Sequence, residues 1–143
     1  MAWVFEITTG RFFDPAGALA GTGYAGGDCG SRPDAINNPA DEALVDVGPI
    51  PEGDYTFGAP VYKTHLGPVA VPIHLVKLSP SAPAGSEKRG GFFLHLDTVV
   101  PGKASEGCIV QPHATINAVI ASEDKGLQVV KYRRLKATAT GGS

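Results

Sequence analysis

The chain reads as a mainly β protein, a β-sandwich or barrel of short strands with one or two short helices. Three observations predict this. Glycine and proline number 19 and 12 in 143 residues, a density that punctuates a chain with turns and disfavours long helices. The apolar runs are short and rich in aromatic and β-branched residues, as in W-V-F-E-I-T at 3–8 and V-P-I-H-L-V-K-L at 71–78. A helical spacing of apolar residues covers one stretch, Pro112 to about Ser122, where Ile116, Val119 and Ile120 share a face.

The elements follow in order. Residues 3–8 form a first strand closed by Thr9-Gly10, and Arg11–Phe13 forms a second. Asp14-Pro15-Ala16-Gly17 is a turn: Asp starts it, Pro presets φ and Gly takes the special conformation. Leu19 to Tyr24 returns as a third strand, giving a β-meander. Residues 25–39 are small, polar and rich in glycine, hence loop. Asn38 is placed to cap a short helix with Pro39 in its first position and Asp41 and Glu42 in its first turn. G-P-I-P-E-G at 48–53 ends it before a strand at Asp54–Phe57. Strands are also expected at 71–78, 91–96 and 127–135, with an exposed loop at 79–90. Residues 1–136 are expected to be one domain, and A-T-A-T-G-G-S at 137–143 a disordered tail.

Composition removes several functions. The net charge is −2 and the basic residues are scattered. Lys131-Tyr132-Arg133-Arg134 is too short for a nucleic-acid footprint and reads as a solvated strand end, so no nucleic-acid partner is expected. No apolar run has the length of a membrane span. The first residues lack the basic region and apolar core of a signal peptide. The expectation is synthesis in a cytoplasm, with any export by another route. Cys29 and Cys108 are expected to be thiols, and no Cys or His pair has zinc-site spacing, so neither metal nor cofactor is expected.

The chemistry concentrates in F-F-L-H-L-D-T-V-V-P-G-K-A-S-E-G-C-I-V-Q-P at 92–112. Strand alternation puts Phe92, Leu94 and Leu96 on a core face, and Phe93, His95 and Asp97 on the other, expected to line a cleft. Cys108 follows Gly107, a residue that permits an unusual turn and close ligand approach. The Gly107 and Cys108 N–H groups are expected to face an oxyanion, and His95 to draw the thiol proton. Singly, a lone cysteine is more often a buried small hydrophobe, and a lone histidine on a strand more often a satisfied or surface residue. Together they favour a cysteine nucleophile with its base. Asp97 reads equally as a turn former, an orienter of His95 or a substrate-binding residue. His65 reads as solvated, His74 as packed or hydrogen-bonded, and His113 as a surface residue.

S-E-G-C-I at 105–109, preceded by a strand-borne histidine, resembles the active site of the L,D-transpeptidase catalytic-domain family. That motif usually reads His-Gly-Thr, a loop, then Ser-His-Gly-Cys-Ile-Arg. Here Leu96 stands in place of its glycine, Glu106 of its second histidine and Val110 of its arginine. T-G-R-F-F-D-P-A-G at 9–17, G-T-G-Y-A-G at 21–26, N-N-P-A at 37–40 and V-G-P-I-P-E-G-D-Y-T-F-G at 47–58 are similar to the L,D-transpeptidase-related toxin domain delivered by type VI secretion systems. The resemblance covers about residues 3–135 and implies an L,D-transpeptidase-like sandwich or barrel.

The resemblance also implies an activity. Cys108 would attack the L-centre carbonyl of the third residue of a peptidoglycan tetrapeptide stem, releasing the terminal D-Ala. Water would resolve the thioester in a carboxypeptidase, a D-amino acid or stem amine in a transpeptidase. His95 would act as base then acid, Gly107 and Cys108 would supply oxyanion N–H groups, Ser105 would support the hole, and the Leu96 carbonyl would orient the histidine. The implied partners are peptidoglycan stem peptides and a cognate immunity protein, with delivery to the periplasm of a target bacterium. Two alternatives stand beside this: a cysteine peptidase of different bond specificity, and a non-catalytic wall-binding or phage structural module in which Cys29 and Cys108 pair or Cys108 is merely packed.

Overall fold

The computed structural model describes residues 2–64, 66–97, 105 and 107–132. Ten strands and one α-helix lie among them: β1 (Trp3–Glu6), β2 (Arg11–Phe13), β3 (Leu19–Thr22), β4 (Tyr24–Ala25), β5 (Gly53–Phe57), β6 (Val61–Thr64), β7 (Gly67–Leu78), β8 (Phe92–His95), β9 (Ile109–Val110), α1 (His113–Ala121) and β10 (Gly126–Val130). The class is mainly β, as the glycine and proline content predicts. The strands form one sheet in the order β3-β2-β1-β10-β5-β7-β8-β9-β4, with β6 also paired to β7.

The two ends of this order, β3 and β4, are neighbours in the chain, separated by Gly23 alone. The sheet therefore curls into a nearly closed barrel. The seam is built for close backbone approach. The Gly23 N–H donates to the Gly10 carbonyl at 2.8 Å, and a Cβ on Gly23 would sit 1.7 Å from the Val110 carbonyl oxygen. The expected third strand, Leu19 to Tyr24, is thus split, because the chain passes here from one end of the sheet to the other.

Apolar burial fills the barrel. Phe5, Ile7, Phe12, Leu94, Ile109, Ile116 and Leu127 are fully buried. The Phe12 ring touches those of Trp3, Phe5 and Phe57, at centroid distances of 5.5, 6.2 and 6.4 Å. Helix α1 presents Ile116 and Val119 to the core and Ile120 to its edge, the face expected from spacing. Lys125 Nζ donates to the Val119 and Ile120 carbonyls, so a cation closes the negative end of the helix.

The remaining differences from expectation have local causes. β6 was not expected: Tyr62 and Lys63 are exposed and Lys63 has a φ of +55°, so the segment carries no strand pattern. β7 begins at Gly67 rather than Val71 because β6 pairs with its first half. Pro72 is tolerated where the partner of β7 changes from β6 to β5. The stretch 79–90 is not wholly exposed, since Ser86 and Arg89 are buried. Asn38 caps a 3-10 turn at Pro39–Asp41, its side chain accepting the Ala40 N–H at 3.1 Å, in place of an α-helix. His74 is exposed on β7 rather than packed. The expectations for His65, Glu106, the loop at 98–104, the end of the last strand and the tail lie outside the described residues.

Candidate active site

β8 and β9 run parallel, with Leu94 opposite Ile109 and His95 opposite Val110. Residues paired in this way point to the same face, and so do residues two apart on one strand. Cys108 directly precedes β9, so the parallel pairing brings it beside β8. The Phe93 N–H donates to Cys108 Sγ at 3.4 Å. Phe93 pairs with Pro72 of β7, whose carbonyl accepts the Gly58 N–H at 2.8 Å, so the Phe93 N–H is left to the Cys108 side.

His95 is 1% exposed. The sequence places it on a cleft-lining face; the structure covers it, because β8 is an interior strand with Ala70 on one side and Val110 on the other. Its Nδ1 lies 2.8 Å from the Leu96 carbonyl oxygen. A carbonyl only accepts, so Nδ1 carries a proton, and Nε2 is the ring nitrogen that can exchange one. Across the same row of the sheet, Tyr24 pairs with Val110. The Tyr24 hydroxyl donates to Asp97 Oδ1 at 2.6 Å, two residues beyond His95 on its face. Asp97 thus joins the end of β8 to β4.

Ser105 is buried and organises the turn that delivers the cysteine. Its Oγ accepts the Gly26 N–H at 2.9 Å and the Gly107 N–H at 3.0 Å, and donates to the Cys108 carbonyl at 2.6 Å. Its own carbonyl accepts the Cys29 N–H at 2.9 Å. The Gly107 N–H is thus engaged inside the turn. The Cys108 N–H is the donor of that pair left to consider. Gly107 matters for space and conformation instead: its φ is +136°, and a Cβ would lie 2.3 Å from an Arg89 nitrogen. Val110, where the commoner motif has arginine, is buried beside His95 and serves the core.

Sequence reasoning missed Arg89, placed in a stretch whose composition reads as loop. Its side chain is 8% exposed and donates to three carbonyls, those of Glu42 at 2.7 Å, Gly48 at 2.9 Å and Pro49 at 3.3 Å. Its guanidinium lies 5.3 Å from the Phe92 ring centroid. Behind it, the buried Glu42 carboxylate accepts the Glu52 N–H at 2.5 Å. Burial, reinforced by the Glu52 side chain, pushes the Glu42 carboxyl up to about 8. Burial raises the Tyr55 hydroxyl as well.

A cleft of about 230 Å³ opens on Cys108. Phe92, Phe93, Gly90 and Gly91 line one part of it, Val45 and Leu66 another, with Asp46, Lys88 and Arg89 supplying charge. Cys29 and Cys108 are both thiols, against the alternative in which they pair. Among the described residues no group of three or more His, Cys, Asp or Glu side chains is arranged to hold a metal ion.

A family model, that of the Tlde1 domain, a type VI secretion effector toxin domain, matches residues 25–132. The chain belongs to the Tlde1 domain family. No curated protein and no solved structure matched the chain in the same comparisons. The Tlde1 match takes in β4 through β10, hence His95, Cys108, the Ser105 turn and Arg89. It begins beyond β1, β2 and β3, which close the other wall of the barrel. A Tlde1 effector domain fits a secretion-delivered toxin and a cognate immunity protein. No helix among the described residues is long and apolar enough to cross a membrane.

Proposed function

We propose that this Tlde1 domain is an antibacterial cysteine acyltransferase that acts on the tetrapeptide stems of peptidoglycan as an L,D-carboxypeptidase, an L,D-transpeptidase or both. The observation that carries the reading is the Phe93 N–H contact that seats Cys108 Sγ against β8, the strand that ends in His95, with the His95 Nδ1 proton held by the Leu96 carbonyl. The sequence resemblance suggests the substrate class, and the family supports an effector toxin.

In this reading His95 Nε2 accepts the Cys108 proton. The sulfur attacks the carbonyl of the stem's third residue, forming a C–S bond and an oxyanion. The Cys108 N–H is the backbone donor assigned to that oxyanion. Collapse breaks the amide C–N bond, and the terminal D-Ala leaves as an amine with the proton returned from His95. Water, a free D-amino acid or a second stem amine then attacks the thioester. His95 takes the nucleophile's proton, and the sulfur departs. The Phe93 N–H directed at Sγ favours the anionic form of the sulfur at both ends of the cycle. The protein's targets are stem peptides in the periplasm of a rival cell, and a cognate immunity protein protects the producer.

The test is mass spectrometry of purified muropeptides after incubation, with and without an added D-amino acid. Tetrapeptide stems are expected to lose D-Ala or exchange it. Cys108→Ala should abolish this, and His95→Ala should slow it by about a hundredfold or more. Both should keep the wild-type circular dichroism spectrum. Processing at the wild-type rate by both variants would sink the assignment, and cleavage of another bond would favour a different peptidase.

A further inference from the structure

The segment before β8 meets the cysteine turn through one side chain. Arg89 gives its protons to the backbone carbonyls of Glu42, Gly48 and Pro49, lies over the Phe92 ring, and packs so tightly on Gly107 that no Cβ fits between. It also lines the cleft that opens on Cys108. Three carbonyls from a distant loop, an aromatic face and a glycine turn therefore converge on a single buried cation.

We propose that Arg89 is the positioning cation of the site: it fixes the Glu42–Pro49 loop against the Gly107–Cys108 turn and supplies the positive charge beside which the Cys108 sulfur is held as thiolate. This deepens the cysteine-nucleophile reading and rests on it. A guanidinium out of water exerts a far stronger field on a neighbouring sulfur than a solvated one does. Among the described residues, Lys88 and Arg89 from the segment before β8 and Asp46 from the turn that follows the Pro39–Asp41 helix line the cleft with Cys108, and His95 ends β8, the strand whose Phe93 N–H meets the sulfur. Glu42 and Tyr55 face Arg89 from behind. Burial lowers the affinity of Arg89 for its own proton, opposed by the charges of Asp46, Tyr55, Cys108 and Glu42. Arginine keeps its charge under such burial, whereas a buried lysine often does not.

The experiment is the rate of Cys108 alkylation by iodoacetamide between pH 4 and 9, in a Cys29→Ser background that removes the exposed second thiol. It needs no substrate. Arg89→Met should raise the midpoint of the rate profile by roughly one pH unit. Arg89→Lys should shift the midpoint less than Arg89→Met does and lower the melting temperature, since one ammonium replaces the fork that meets three carbonyls. Arg89→Gln, which retains a donor, serves if the methionine variant fails to fold, with the same upward shift expected. A loss of melting temperature with an unmoved midpoint in the folded neutral variant would reduce Arg89 to a structural strut and overturn the proposal. The readout separates two failures. A shifted midpoint without muropeptide turnover sinks the substrate assignment and leaves Arg89 standing; turnover with an unmoved midpoint does the reverse.

Discussion

The two sides of this barrel are held by different physics. Around β1, β2, β10 and α1, cohesion comes from apolar burial: Phe5, Phe12, Ile116 and Leu127 are fully enclosed, and the aromatic rings around Phe12 meet at tilted angles. Such burial is non-directional and tolerates small shifts. Around Cys108, side chains grip backbone instead. Ser105 makes three hydrogen bonds, Arg89 three, and Asn37 Oδ1 accepts the Ala25 N–H at 2.9 Å beside them. Directed bonds fix where a sulfur points in a way that burial does not. One wall therefore supplies stability, and the other spends polar groups on geometry.

Substitutions on the two walls should separate these roles. The largest stability effect belongs to the apolar wall. Phe12→Ala should cost about 3–5 kcal/mol by chemical denaturation, while the folded fraction alkylates Cys108 at the wild-type rate. An equal loss of thiol reactivity would mean that the two walls are not separable. Ser105→Ala removes the shared partner of two buried N–H groups and should cost about 1–3 kcal/mol. Here the turn-over rate on stems should fall further than stability alone explains, and an unchanged rate would mean the turn holds without its hydroxyl.

The effect that depends on pH concerns Glu42. Its carboxyl is raised in the folded protein from an ordinary value near 4.5 to about 8. Between those values the folded state keeps a proton that the unfolded state has lost. The stabilisation is therefore complete below the unfolded value and drains away as pH rises through the window, at no more than about 1.4 kcal/mol per unit. Glu42→Gln should flatten the decline of melting temperature between pH 5 and 8. A decline as steep as in the wild-type protein would assign it to other groups.

Much of the apolar wall is legible in the sequence. The aromatic run at 3–8, Arg11–Phe13 and the Ile116, Val119 face of the helix announce themselves by alternation or spacing, because local pattern and burial agree there. β9 is only two residues long and exists because β8 and β4 flank it. β6 is exposed and follows β7 alone. At the site, His95 and Cys108 stand out by residue type, and the Leu96 carbonyl contact matches what the family resemblance implies. Ser105 was read as support for an oxyanion hole; its hydroxyl in fact occupies the Gly107 N–H. Arg89 was invisible, since its three acceptors lie more than 39 residues away in the chain and backbone carbonyls leave no mark on sequence.

Direct capture of the acyl-enzyme tests the central claim best. Intact protein rapidly quenched in acid after mixing with tetrapeptide stems should gain the mass of a stem less its terminal D-Ala. Fragmentation should place that adduct on Cys108, and hydroxylamine should remove it. An adduct on another residue, or stems processed by Cys108→Ala with no adduct formed, would contradict the account.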